Sequence, residues 1–357
     1  MKSICLTGAP NPEEKILGQV SLVDEDMPEP GPEDVLIRVA YASICGSDTN
    51  ILKGNVPQNL LDNLSIVLQF QPFHLGHEIS GVIEAVGNTA ATMGFKVGDR
   101  VTSNYIQYCN TCYWCRTGQE NFCEHPKQHM DGMSEYVCWH MSQVHKIPDD
   151  VSLLNACQTE PLSISMNATE TVGIRPGSRV FVSGAGAIGL YAIQFAKKSG
   201  AALIVASDVV EDKQKRAVEN GADYAVNPME EGWEDTAMAY TGGLGYDAVL
   251  EASGAPAAAD AALRLTSKNG HVCYFAMYPP TWEMKVNPYN ELYEGSKHIH
   301  GMYTSADMFP RTVSMLPKME LGKVIDKVMA PEDCQEAFDL ACSGNYGKIV
   351  FKFSEDE

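Results

Sequence analysis

The strongest constraint on this chain is a change of rhythm at Gly177. From there an apolar strand pattern, Arg179-Val-Phe-Val182, runs into Gly184-Ala-Gly186-Ala-Ile-Gly189, then a helical stretch from Ala187 to Lys198 and a second apolar strand, Leu203-Ile-Val-Ala-Ser207. The alternation continues through Tyr246-Asp-Ala-Val-Leu-Glu251 and Val272-Cys-Tyr-Phe275. Strands that alternate with helices predict a doubly wound parallel sheet, because each crossover lays a helix on a sheet face. Upstream the pattern is different: Val35–Val39, Ser80–Val86 and Glu135–Cys138 are short β-like runs separated by Gly and Pro, which predicts an irregular, mainly β domain. The closing run Lys348-Ile-Val-Phe-Lys352 is a strand candidate able to rejoin that first domain. The expected fold is therefore α/β in two parts, residues 1–155 with 304–357 and residues 156–303.

The glycine run satisfies the strand-before, helix-after condition of a G-x-G-x-x-G dinucleotide turn. Gly184 permits the tight turn, Gly186 lets a pyrophosphate approach the backbone, and Gly189 allows close helix–strand packing, while Ala187 and Ile188 open the helix whose N-terminus faces the phosphates. The alternative is a glycine-rich turn with no ligand. Asp208 follows Gly189 by 19 positions, where an acid pairs with ribose hydroxyls and repels a 2′-phosphate, so NAD is expected over NADP. Lys213, Lys215 and Arg216 lie close by; they read either as phosphate partners or as a solvated helix face.

Cys109, Cys112, Cys115 and Cys123 form a C-x2-C-x2-C-x7-C array. Its tight spacing lets four thiolates converge on one ion, and a tetrahedral four-sulfur zinc has no open position, so its role is structural. The rival is an iron–sulfur cluster, whose familiar run ends C-x3-C-P, whereas the last gap here is seven residues and no proline follows Cys123. Cys45 and His77 lie 32 positions apart and meet only if the fold brings them together. Each alone is more often a packed residue than a ligand. With Glu78 beside His77 and Glu160 before Pro161, however, the set supplies a thiolate, an imidazole and one or two carboxylates, the donors of an open catalytic zinc site.

Composition bounds the partners. The 357 residues carry 26 Lys+Arg against 46 Asp+Glu, a formal charge of −20, which argues against binding nucleic-acid phosphates or an anionic membrane surface. No apolar run approaches the roughly 20 residues of a membrane span, and the start MKSICLTGAPNPEEK lacks a signal-peptide core. Eleven cysteines, four of them crowded together, suit thiolate chemistry in a reducing cytoplasm better than a disulfide framework.

The segment GHEISGVIEAVGNTA, lying between CGSD and the four-cysteine run, resembles the G-H-E-x2-G-x5-G zinc motif of the medium-chain alcohol dehydrogenase superfamily. The glycine-rich turn, GADYAVNP and GKIVF follow in that family's order, so the resemblance covers essentially the whole chain; CGSD and EPL resemble the sorbitol and threonine dehydrogenase branch. The resemblance implies a GroES-like catalytic domain and a Rossmann domain, one catalytic and one structural zinc, and a homodimer or homotetramer. It implies that Cys45, His77 and Glu78 bind or border the catalytic zinc, and that Glu160 coordinates the metal or its water. Ser47 would carry the substrate proton and Asp48 would support the site through hydrogen bonds. Asn50 stands where many alcohol dehydrogenases have a His that continues the proton relay. The implied reaction is hydride transfer between a nicotinamide cofactor and a secondary alcohol: a polyol, sugar or sugar acid, with an amino alcohol of the threonine type as the alternative. A non-catalytic zinc- and NAD-binding sensor, or a zinc-independent reductase, are the competing classes. Residues 54–73 read as an insertion-like loop, and Tyr41, Trp114, Trp139 and Trp282 as either sugar-stacking walls or ordinary core aromatics.

Overall fold

The strand Asp34–Ser43 is buried along most of its length, as befits a strand covered on both faces. In the computed structural model, which describes residues 1–355, it is the hub of a seven-stranded sheet. The order is Val144–Lys146, Arg100–Ser103, Glu78–Val86, Asp34–Ser43, Lys348–Lys352, Ile325–Met329, with Tyr136–His140 also pairing with the hub. The closing strand Lys348–Lys352 pairs antiparallel with Asp34–Ser43, placing Val350 opposite Ser43. A smaller antiparallel sheet has the order Gln19–Asp24, Lys2–Gly8, Phe73–His74. Ile4, Leu6, Ile37, Val39, Trp139 and Phe351 belong to the apolar core of this unit. Residues 54–73 hold a helix, Gln58–Val67, where the sequence suggested a loop.

The second unit is built on six parallel strands in the order Tyr224–Val226, Leu203–Ser207, Arg179–Ser183, Tyr246–Glu251, Thr266–Tyr274, His298–Gly301. Numbered along the chain this is 3-2-1-4-5-6, the doubly wound arrangement whose ligand crevice lies at the carboxyl ends of the strands. Phe181, Val205, Tyr246, Val249 and Val272 belong to its core. The chain divides at Pro161/Leu162 and Met308/Phe309, somewhat later than the sequence-based boundaries. Among the described residues no helix is long and apolar enough to cross a membrane.

Candidate active site

Cys45 is the N-cap of the helix Gly46–Lys53, and its backbone N–H donates to Asp48 Oδ2 at 2.9 Å. The other Asp48 oxygen accepts from the backbone N–H of Gly76 at 3.2 Å. One fully buried carboxylate thus ties the Cys45 turn to the residue preceding His77, and its burial pushes its pKa up. The consequence is a cluster in which donor atoms of Cys45, His77 and Glu78 all lie within 4.8 Å of one another. Residues 32 positions apart in sequence have been brought together by the helix cap and the start of the Glu78–Val86 strand.

The electrostatics favour a cation. His77 is 4% exposed, and although burial alone would lower its pKa, Cys45, Asp48 and Glu160 raise it to about 10. The field that draws a proton onto this imidazole is the field a divalent ion would experience. Glu160 stands outside the close triad but near enough to act on His77, and burial pushes its carboxyl up to about 7. Two buried polar atoms here, Ser47 Oγ and His77 Nδ1, have no hydrogen-bond partner among the described residues. Buried polar atoms are normally satisfied, and orphans beside a Cys/His/carboxylate set fit a metal with its ligand. Asn50 lies half-buried on the same helix as Ser47.

Three neighbours were not singled out in the sequence. Lys348, from the closing strand, is buried and donates to Glu78 Oε1 at 2.6 Å, to Glu78 Oε2, and to the Ile44 carbonyl at 3.1 Å. Ser43 Oγ also donates to Glu78 Oε2. The Glu78 charge is therefore compensated from behind. A lysine opening an otherwise apolar buried strand, KIVF, was the available signal. Tyr105 packs on the His77 ring with centroids 4.5 Å apart, and nothing in its local sequence announces that contact.

The four-cysteine lobe is assembled locally. All four sulfurs lie within 4.8 Å of one another, with Cys109 Sγ and Cys115 Sγ 3.9 Å apart. Backbone N–H groups of Thr111 and Cys112 point to Cys109 Sγ at 3.5 and 3.4 Å, and those of Cys109 and His125 to Cys123 Sγ at 3.4 Å each. Contacts from Thr111 pull the Cys109 thiol down to about 5, while burial pushes Cys115 up to about 12. Sulfurs that receive N–H groups in this way fit a thiolate cage. Trp114 packs between Tyr113 and Phe122 in this lobe, at centroid distances of 5.3 and 5.5 Å. Tyr41 and Trp139 are core residues, and Trp282 lies 5.4 Å from Tyr278.

In the second unit Gly184 has φ +90°, and its N–H donates to the Ser207 carbonyl at 2.8 Å. A Cβ on Gly189 would lie 1.8 Å from the Gly184 carbonyl oxygen, so helix Ala187–Lys198 approaches the turn as only glycine allows. A Cβ on Gly186 would meet nothing within 4 Å, which leaves open space at the helix start bearing Ala187 and Ile188. Asp208 is held beside this turn: one oxygen accepts from Ala185 N and the other from Val210 N, each at 2.9 Å. The residues fit a dinucleotide at a helix N-terminus. Lys213 is half-buried on the helix Glu211–Glu219, and Lys215 pairs with Glu211 at 2.9 Å. A buried group that sequence reading passed over is Glu251, at the carboxyl end of its strand, which accepts from Ser253 N at 3.0 Å and from the Tyr278 hydroxyl.

Comparison with known proteins agrees with both halves. Residues 31–149 match the alcohol dehydrogenase GroES-like domain and residues 187–318 the zinc-binding dehydrogenase domain. The chain belongs to the zinc-dependent medium-chain dehydrogenase superfamily. It is 34% identical to an L-threonine 3-dehydrogenase of Pyrococcus abyssi, covering 92% of this chain and 94% of the relative. It is 30% identical to a sorbitol dehydrogenase of Gallus gallus, covering 94% of each. A crystal structure of a zinc-binding dehydrogenase from Clostridium scindens superposes with a TM-score of 0.94 at 42% identity, over 99% of both chains. The chain is accordingly a zinc-type alcohol or polyol oxidoreductase that uses a nicotinamide cofactor.

Proposed function

We propose that this enzyme oxidises a secondary alcohol of a polyol, sugar or sugar acid with NAD, and reduces the corresponding ketone in reverse. The observation that carries the reading is the triad of Cys45, His77 and Glu78 beside a buried, unpartnered Ser47 hydroxyl. Cys45 and His77 would hold the catalytic zinc, with Glu160 or Glu78 as the carboxylate ligand or as partner of its water. When bound, zinc supplies Lewis acidity that brings the pKa of the substrate alcohol towards neutrality. Ser47 accepts the alcohol proton and passes it outward, and Asp48 holds the Cys45 turn in place. Asn50 has no titrating group, so the proton leaves through water, on the Glu160 side. Cys109, Cys112, Cys115 and Cys123 would hold a second, structural zinc.

NAD preference rests on Asp208, whose carboxylate, held beside the glycine turn, would pair with the ribose hydroxyls and repel a 2′-phosphate. Gly184, Gly186, Ala187, Ile188 and Gly189 would form the pyrophosphate turn, and Lys213, on the helix after Asp208, would assist in holding the cofactor. The 34% identity to the threonine enzyme favours an amino alcohol as the second reading. A homodimer or homotetramer completes the proposal, and eleven unpaired cysteines support a reducing cytoplasm. The experiment is NADH formation measured by absorbance across polyols, sugar acids and L-threonine, with kcat/KM for both cofactors. A polyol turned over with NAD at the higher kcat/KM supports the reading. Turnover of L-threonine alone would replace the substrate, and preference for NADP would remove the role given to Asp208.

A further inference from the structure

The small sheet of the first unit gathers a third set of metal-binding side chains. In its antiparallel register Cys5 lies directly opposite His74 on one side and Ser21 on the other, with Ser3 opposite Val23. Side chains of a strand alternate between faces, so Cys5, His74 and the row Ser21, Val23, Glu25 share one face. Ile4 and Leu6, on the opposite face, join the main apolar cluster, and Cys5 is itself fully buried. A donor atom each of Cys5, Glu25 and His74 lies within 4.8 Å of the others. His74 Nε2 is 3.0 Å from both Glu25 oxygens. Ligand atoms around tetrahedral zinc are about 3.4–3.8 Å apart, so small rotations of these side chains bring the three onto one ion.

We propose that Cys5, Glu25 and His74 form a further zinc site, separate from both sites described above. Thiolate with imidazole selects zinc over magnesium or calcium, and a carboxylate completes three ligands. Water would supply a fourth ligand. Glu25 and His74 line a cavity of about 620 Å³ together with Asp26, His129 and Asp131, room for a water or a small exchangeable ligand. His129 Nε2 in that lining is buried and lacks a hydrogen-bond partner among the described residues. Burial and the nearby Glu25 push the Cys5 thiol up to about 12. Binding therefore forms the sulfur–zinc bond as the S–H bond breaks, and one proton passes to solvent. An ordinary His–Glu ion pair over a buried thiol, the competing explanation, binds no metal.

The test is total zinc per chain, measured on the full-length protein after equilibration with buffered zinc and again by titration against a chromophoric chelator. His74→Gln, at a half-exposed position, and Cys5→Ser should each lower the content by one equivalent. The double variant should lose no more than one, because both residues serve the same ion. Turnover with alcohol should stay within about twofold. Zinc content in properly folded His74→Gln equal to that of the unaltered protein would overturn the proposal, whatever becomes of Cys5→Ser.

Discussion

The cysteine lobe and the Cys45–His77 site are both clusters of side chains able to hold a metal in one unit, yet they are made in opposite ways. The lobe draws four sulfurs from 15 consecutive residues, and backbone N–H groups of the same loop orient them. The other site draws Cys45 from a helix cap, His77 and Glu78 from the entry to a strand, a carboxylate from the helix Thr159–Thr171 and a compensating lysine from the closing strand. A site assembled from a single loop is a staple, whose binding energy is local folding energy. One assembled by the whole unit presents mixed donors and an orphaned hydroxyl, and those are the features chemistry needs.

The comparison breaks most visibly if the two sites lose different things. Cys45→Ser should lower kcat/KM by about 10³-fold or more, since Lewis acidity is worth several kcal/mol to the transition state, while thermal unfolding barely moves. Cys112→Ser should do the reverse, lowering the unfolding temperature sharply and releasing metal before any effect on chemistry per folded molecule. Equal losses of stability in the two variants would show that the assembled site is also a staple.

Next in size is the ion pair behind the assembled site. Lys348→Met leaves the Glu78 charge buried and uncompensated, at a cost of about 3–5 kcal/mol in denaturant unfolding. Adding Glu78→Gln should recover most of that stability without restoring activity. No recovery in the double variant would mean that Lys348 acts by packing rather than charge.

The proton path gives a smaller effect. Ser47→Ala should lower kcat by about 10²-fold, the scale of a positioned proton-transfer group. Asn50→Ala should lower it far less, because an amide only orients its neighbours. Equal damage from the two, with zinc and cofactor binding intact, would put Asn50 on the obligatory path.

The smallest effect lies outside both sites. His145, packed 4.8 Å from the Phe309 ring, is held by burial at about 4, below the ordinary 6.5. The folded protein keeps this imidazole neutral while the unfolded chain binds a proton, so stability falls as pH drops below 6.5 and the loss levels off near 4. At pH 5.5 the loss is about 1 kcal/mol. His145→Phe should remove that acid limb from a plot of unfolding free energy against pH; an unchanged limb would assign it to other groups.

These contrasts also mark what could be read from the sequence. The lobe was legible because its chemistry and its spacing occupy one short segment. The parallel sheet was legible because Arg179–Ser183, Leu203–Ser207 and Tyr246–Glu251 are apolar strands separated by helical stretches. Cys45 and His77 became legible through motif resemblance, since nothing in the 31 intervening residues encodes their meeting. Lys348, Ser43 and Tyr105 were missed because each earns its place only through tertiary neighbours. The helix Gln58–Val67 was read as loop because its single buried side chain, Leu64, gives a weak periodic signal.

The most direct test of the division of labour is cobalt substitution followed by visible spectroscopy with and without a substrate alcohol. Alcohol should perturb bands that persist in Cys112→Ser and vanish in Cys45→Ser, because, of these two sites, the assembled one is where substrate alcohol would meet the metal. A perturbation that survives Cys45→Ser and disappears with Cys112→Ser would contradict the account.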